Sequence, residues 1–166
     1  AVTTTFGYDD LGRLNTTTTP LSGAVAATTT VIYNGRGQLT DSLDALGRVR
    51  HTDFDVTGRP VTVTANYKDG VFDPAHPDED VATVTEYDAA GRAGCTLEFA
   101  NTAAPRKTCT VYDALDREMA QMDASGGMRY TLYDAAGQVT AQIDYNSQAT
   151  LFTYDDAGNV IQTTDA

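Results

Sequence analysis

One motif returns through this sequence at intervals too regular to be accidental. An aromatic residue, Asp, two variable residues and Gly stand at Tyr8-Asp9-Asp10-Leu11-Gly12, Phe54-Asp55-Val56-Thr57-Gly58 and Tyr87-Asp88-Ala89-Ala90-Gly91. They stand again at Tyr133-Asp134-Ala135-Ala136-Gly137 and Tyr154-Asp155-Asp156-Ala157-Gly158. Looser copies are Tyr33-Asn34-Gly35-Arg36-Gly37 and Tyr112-Asp113-Ala114-Leu115-Asp116. The aromatics are spaced 25, 21, 33, 25, 21 and 21 residues apart, so the base period is 21. A weaker turn begins 11 residues after three of them, at Asp44, Asp123 and Asp144. Each repeat is thus two half-units, and each half-unit is one strand and one turn. Such periodicity marks a repeat architecture.

Asp at the first and Gly at the fourth turn position suit a type I turn closed by a residue of positive φ. The segments between turns are short and rich in Thr, Val, Tyr, Phe and Leu, which favours strand. No helical stripe of useful length competes. Fourteen strands are predicted, at 2–8, 13–19, 27–33, 38–43, 48–54, 59–66, 81–87, 92–99, 106–112, 117–122, 127–133, 138–143, 148–154 and 159–164. The expected fold is all-β: a long antiparallel meander, curved or spiralling. It spans 1–166 as one repeat segment, with insertions near 17–29, 67–80 and 100–105. Fourteen strands make a ribbon about 65 Å wide, and open sheets beyond about 10 strands curl, split or close. Across each aromatic turn the ring is expected to face the residue after Gly. That pairs Tyr8 with Arg13, Phe54 with Arg59, Tyr87 with Arg92 and Tyr112 with Arg117, as cation–π contacts.

The chain has 23 acidic and 11 basic residues, a net charge of −12. Nucleic-acid or anionic-membrane binding needs clustered Lys and Arg and is a poor fit. No apolar run reaches transmembrane length. With two His and no Trp, a multi-histidine metal centre is disfavoured. The absence of an initiator Met or a leader-like start suggests a slice of a longer protein.

Few residues invite a chemical reading. Cys95 and Cys109 fall nearly opposite on adjacent predicted strands. They read either as a cross-strand disulfide of an oxidising compartment or as two small buried thiols. The acidic segment Lys68–Asp80 reads as a solvated loop, or as a weak Ca²⁺ or partner site without EF-hand spacing. His51 and His76 lack a nucleophile at recognisable spacing. Asp9-Asp10 and Asp155-Asp156 resemble acid–base pairs, but each occupies a turn. Asn15-Thr16-Thr17 is an N-glycosylation sequon, or β-branched strand filler. No catalytic residue, cofactor or metal site is assigned.

The run Tyr-Asp-x-x-Gly-Arg, clearest at Tyr87–Arg92 and Tyr8–Arg13 and carried in degenerate form by the other copies, resembles the YD-repeat or Rhs (rearrangement hotspot) family. The resemblance implies structural roles for Tyr8, Asp9, Gly12, Arg13, Tyr33, Gly37, Phe54, Asp55, Gly58, Arg59, Tyr87, Asp88, Gly91, Arg92, Tyr112, Asp113, Tyr133, Asp134, Gly137, Tyr154, Asp155 and Gly158. Family members include bacterial polymorphic toxins, insecticidal toxin components and teneurins, whose repeats build a hollow β shell. The resemblance implies a secreted or cell-surface bacterial protein whose partners are neighbouring repeats and an enclosed toxin domain. The family's self-cleavage signature is missing, since the one Asp-Pro, Asp73-Pro74, runs on into Ala75. Three functional expectations follow: a structural β wall, a fibre of head-to-tail copies, and a module for adhesion or surface glycans. In a fibre the motif would restart 20 residues after Tyr154, one short of the period, with Val2 where Gly is due. An enzyme is not expected.

Overall fold

The computed structural model describes residues 3–21 and 25–166. The expected strand start at Val2 and residues 22–24, inside the insertion near 17–29, lie outside the described residues. The strands are β1 (Thr5–Tyr8), β2 (Leu14–Pro20), β3 (Ala26–Tyr33), β4 (Leu39–Leu43), β5 (Val49–Phe54), β6 (Pro60–Ala65) and β7 (Val81–Tyr87). They continue as β8 (Ala93–Glu98), β9 (Arg106–Tyr112), β10 (Glu118–Met122), β11 (Met128–Tyr133), β12 (Val139–Ile143), β13 (Ala149–Tyr154) and β14 (Val160–Asp165). They pair in chain order within one sheet, and no helix occurs among the described residues. The all-β antiparallel meander expected from the repeat is the observed fold.

Nearly every strand after a turn starts one residue later than predicted, and the turn chemistry explains the shift. In the first hairpin the Gly12 N–H donates to the Asp9 carbonyl at 2.9 Å, and the Asp9 N–H donates to the Arg13 carbonyl at 2.9 Å. This is a three-residue loop: a type I turn followed by one residue of positive φ. Gly12, Gly37, Gly58, Gly91, Gly137 and Gly158 all take that conformation, with φ between 74° and 93°. The extra residue moves the aromatic's partner on by one. Tyr8 therefore faces Leu14, Tyr33 faces Leu39, Phe54 faces Pro60 and Tyr112 faces Glu118. The expected pairings of Tyr8 with Arg13, Phe54 with Arg59 and Tyr112 with Arg117 are corrected by this register.

Two turns lack the glycine. Asp116 and Ser147 hold φ of 62° and 65° in its place, where a side chain costs about 1–2 kcal/mol. The substitution Ser147→Gly relieves that cost against the added entropy of the unfolded glycine. It is expected to stabilise the protein by about 0.5–1 kcal/mol, read as a raised calorimetric midpoint.

The chain divides into two compact units. The first comprises Ala1–Val84 and Glu98–Pro105. Threonines pair across β2 and β3, Thr16 with Thr30, Thr17 with Thr29 and Thr18 with Thr28. The insertion between β6 and β7 is pinned at its base. The Tyr67 N–H donates to the Val49 carbonyl at 2.8 Å and the Asp80 N–H to the Asn66 carbonyl at 3.2 Å. Asp80 is 3% exposed, and its Oδ1 accepts the N–H groups of Lys68 at 2.8 Å and Gly70 at 2.9 Å. This carboxylate is a backbone clamp. The 98–105 loop folds beside β7, where Asn101 donates to the Asp80 carbonyl at 2.6 Å.

The second unit comprises Thr85–Leu97 and Arg106–Ala166. Its registers place Val111, Ala120, Met122, Met128, Tyr130, Leu132, Ala141, Ile143 and Leu151 on one face. Thr110, Gln121, Arg129, Thr131, Gln142 and Thr150 share the other. Alternation of period two has made an amphipathic sheet. Ala120 and Ala141 are buried on the apolar face, whereas Val111, Leu132 and Leu151 stay 44–46% exposed. A disulfide joins Cys95 on β8 to Cys109 on β9.

Candidate functional site

The residues of the motif converge on the aromatic-turn margin of the sheet, and there each has a distinct task. The Asp carboxylate clamps its own turn. Asp9 Oδ1 accepts the N–H groups of Leu11 at 3.0 Å and Arg13 at 2.9 Å, and Oδ2 accepts Arg13 Nε at 2.7 Å. Asp55, Asp88 and Asp113 repeat this pattern with Arg59, Arg92 and Arg117. Asp44 does the same with Arg48 on a half-unit turn. Where no Arg follows, as at Asp134 with Gln138, the backbone bond persists. Asn34 keeps the two backbone bonds with an amide oxygen, at 2.9 and 3.1 Å.

These contacts favour the charged carboxylate. The backbone N–H of Arg13 foremost holds Asp9 below its ordinary pKa, and that of Arg92 does so for Asp88. The Arg48 and Arg117 side chains foremost lower Asp44 and Asp113, and the Thr57 hydroxyl foremost lowers Asp55. Charge-assisted bonds to three donors explain the direction.

Arg and Tyr then join one repeat to the next. Every aromatic-turn hairpin of defined register carries a bulge just inside the turn, as between Gly7 and Tyr8 or Leu132 and Tyr133. The half-unit hairpins pair straight. Neighbouring hairpins also stop pairing before they reach the aromatic margin: β10 and β11 pair no further than Ala120 with Tyr130. Carbonyls at that margin then lack a ladder partner, and a bulge leaves more unpaired. The tyrosine hydroxyl of the following repeat supplies the missing donor. Tyr33 donates to the Leu14 carbonyl at 3.0 Å, Tyr133 to Glu118 at 2.9 Å and Tyr154 to Val139 at 2.8 Å. The arginine completes the join. Arg13 lies over Tyr33 at 4.5 Å, Arg92 over Tyr112 at 4.8 Å and Arg117 over Tyr133 at 4.2 Å. The cation–π contacts expected within a turn are therefore found between consecutive repeats, because the bulge turns the arginine toward the next hairpin. Arg92 adds bonds to the Asp113 carbonyl at 3.0 Å and to Asp116 at 2.5 Å.

The stitch is open to test. Tyr133→Phe leaves the ring and removes the donor to Glu118, so it is expected to cost about 1 kcal/mol. Arg117→Ala loses the ring contact and the clamp together. Urea unfolding of both single variants and the double variant measures their coupling, which a stitch makes non-zero.

Outside this margin the sequence reading missed one cluster. His51 Nδ1 lies 2.6 Å from Asp41 and Nε2 lies 3.3 Å from Asp53, while its ring stacks on Tyr67 at 4.7 Å. The alternation His51-Thr52-Asp53 puts two of these groups on one strand face, but Asp41 joins them only through strand register. Asn15 sits at the first bulge, half-exposed. His76 lies in the insertion, 3.0 Å from Asp73. Among the described residues no cluster of His, Cys, Asp and Glu could hold a metal ion.

Comparison with known proteins bears on what this stitched margin is. The RHS Repeat family matches residues 133–166, which hold two aromatic turns and the half-unit turn between them. Residues 133–166 resemble an RHS repeat. The YD/Rhs recognition drawn from the motif thus stands, and the same signature precedes it at residues 8, 54 and 87. No curated protein matches the chain. Among solved structures, a crystal structure of TcdB2-TccC3-TEV covers 96% of this chain and 10% of its own, at 16% identity and a TM-score of 0.49. A Tc holotoxin pore of Photorhabdus luminescens covers 98% and 12%, at 15% identity and a TM-score of 0.36. A porin-like protein from Bacteroides uniformis covers 99% and 88%, at 14% identity and a TM-score of 0.31. This chain spans about a tenth of the length of the toxin chains. Within the matched residues, Tyr133, Asp134, Gly137, Tyr154, Asp155 and Gly158 hold the turn and stitch positions described above.

Proposed function

We propose that this chain is a segment of the structural β wall of a larger secreted or cell-surface bacterial protein, serving enclosure or scaffolding rather than catalysis. The stitch carries the reading. The Tyr33, Tyr133 and Tyr154 hydroxyls and the Arg13, Arg92 and Arg117 guanidinium groups are spent on the adjoining repeat. A unit stabilised by its nearest neighbours propagates along one dimension. The half-exposed apolar face of the second unit supports the same reading, since it suits burial against further layers of wall or an enclosed chain. Its partners are then neighbouring repeats and a domain held within. Electron microscopy and intact mass of the native polypeptide test this. Hollow particles of a chain much longer than 166 residues are expected. Long filaments of identical copies would overturn the wall in favour of end-to-end assembly.

A further inference from the structure

The insertion after β6 meets an unusual patch of the first unit. Three repeats later, 79 residues on, the places of Asp41, His51 and Asp53 are held by Ala120, Tyr130 and Leu132, and no such insertion follows. The registers agree, with Asp41 opposite His51 as Ala120 is opposite Tyr130. Polar groups thus replace an apolar patch at the place where Tyr67, from the insertion, lays its ring on the sheet. We propose that Asp41, His51 and Asp53 form a proton-dependent latch that holds the insertion down through the Tyr67 stack. The inference is independent of the wall reading.

An imidazolium donates from both nitrogens and can bond both carboxylates at once. A neutral imidazole donates from one and turns a lone pair toward the other carboxylate, so the ring loses its fixed plane and the stack loosens. The facing groups are few. β4 contributes Asp41, β5 contributes Asp53, and β6 carries no ionisable side chain. In the insertion, Lys68 approaches Glu79 at 3.8 Å and Asp80 clamps backbone N–H groups. Burial lowers the His51 pKa, and the bonds and charges of Asp41 and Asp53 outweigh it, so the net shift is upward from 6.5. A raised histidine pKa stabilises the folded form fully below the unfolded value and loses that contribution as pH rises through the folded one. The latch is closed in mild acid and opens on the alkaline side.

Proton NMR of the two histidines and the Tyr67 ring, with trypsin cleavage after Lys68 scaled to a reference peptide, tests the latch. The Tyr67 resonances are expected to move with His51 and not with His76, and scaled cleavage to rise about tenfold across that step. His51→Phe keeps an aromatic ring without a proton and should remove the step. Tyr67→Ala should leave His51 titrating and cleavage high at every pH. Tyr67 shifts and cleavage that stay flat while His51 titrates would overturn the proposal. If His51→Phe fails to fold, a surviving pH step in Tyr67→Ala overturns it equally.

Discussion

Replacing Cys95 and Cys109 together by serine is expected to destabilise the second unit by about 3 kcal/mol, the value for a closed loop near 15 residues. The bridge joins residues 14 apart, across the loop between β8 and β9. Without it the unfolded chain regains the freedom of that loop. The corresponding positions in the first unit are Thr16 and Thr30, which are paired strand partners with no covalent link. The sheet geometry therefore forms without a bridge, and the loss should appear as lower stability with an unchanged fold. Amide exchange across β8 and β9, with urea unfolding of oxidised, reduced and double-variant protein, measures it. Equal midpoints for all three would show that the bridge contributes nothing.

Acid is expected to unfold the sheet through its turns. Asp9, Asp44, Asp55, Asp88, Asp113, Asp123 and Asp155 all titrate below the ordinary aspartate value of 3.8. A carboxylate with a depressed folded pKa contributes fully above its unfolded pKa and loses the contribution as pH falls through the folded value. Each keeps contact with solvent and is individually weak, but the same clamp recurs along the sheet, so the losses accumulate. The midpoint of thermal unfolding should fall by many degrees below pH about 4. Asn34 indicates which part survives, because its amide keeps both backbone bonds without charge. Asp55→Asn should therefore fold, lose the charge-assisted bond to Arg59, and show a shallower acid transition. A transition as steep as that of the parent would place the acid sensitivity elsewhere.

The legibility of this protein in its sequence has a sharp boundary. Turn residues act within four or five positions of themselves, so Asp-x-x-Gly announces the clamp without any knowledge of the fold. The strands follow because turns at 10 or 11 residues leave room for little else. The destination of Arg13 or Arg117 was not legible, because it depends on one residue of positive φ, Gly12 or Asp116, and one bulge. Each shifts register by a residue and redirects every side chain beyond it. The His51 cluster was hidden for the same reason, since Asp41 and His51 are 10 residues apart and meet only through the pairing of β4 with β5.

By itself, then, the sequence determined the period, the turns, the strand count and the all-β meander, because these rest on interactions between near neighbours in the chain. Tertiary structure alone decided that arginine and tyrosine bind consecutive repeats together, and that a histidine lies between two aspartates beneath Tyr67. Both outcomes depend on register, which no local preference specifies and which is set by the summed pairing of whole strands.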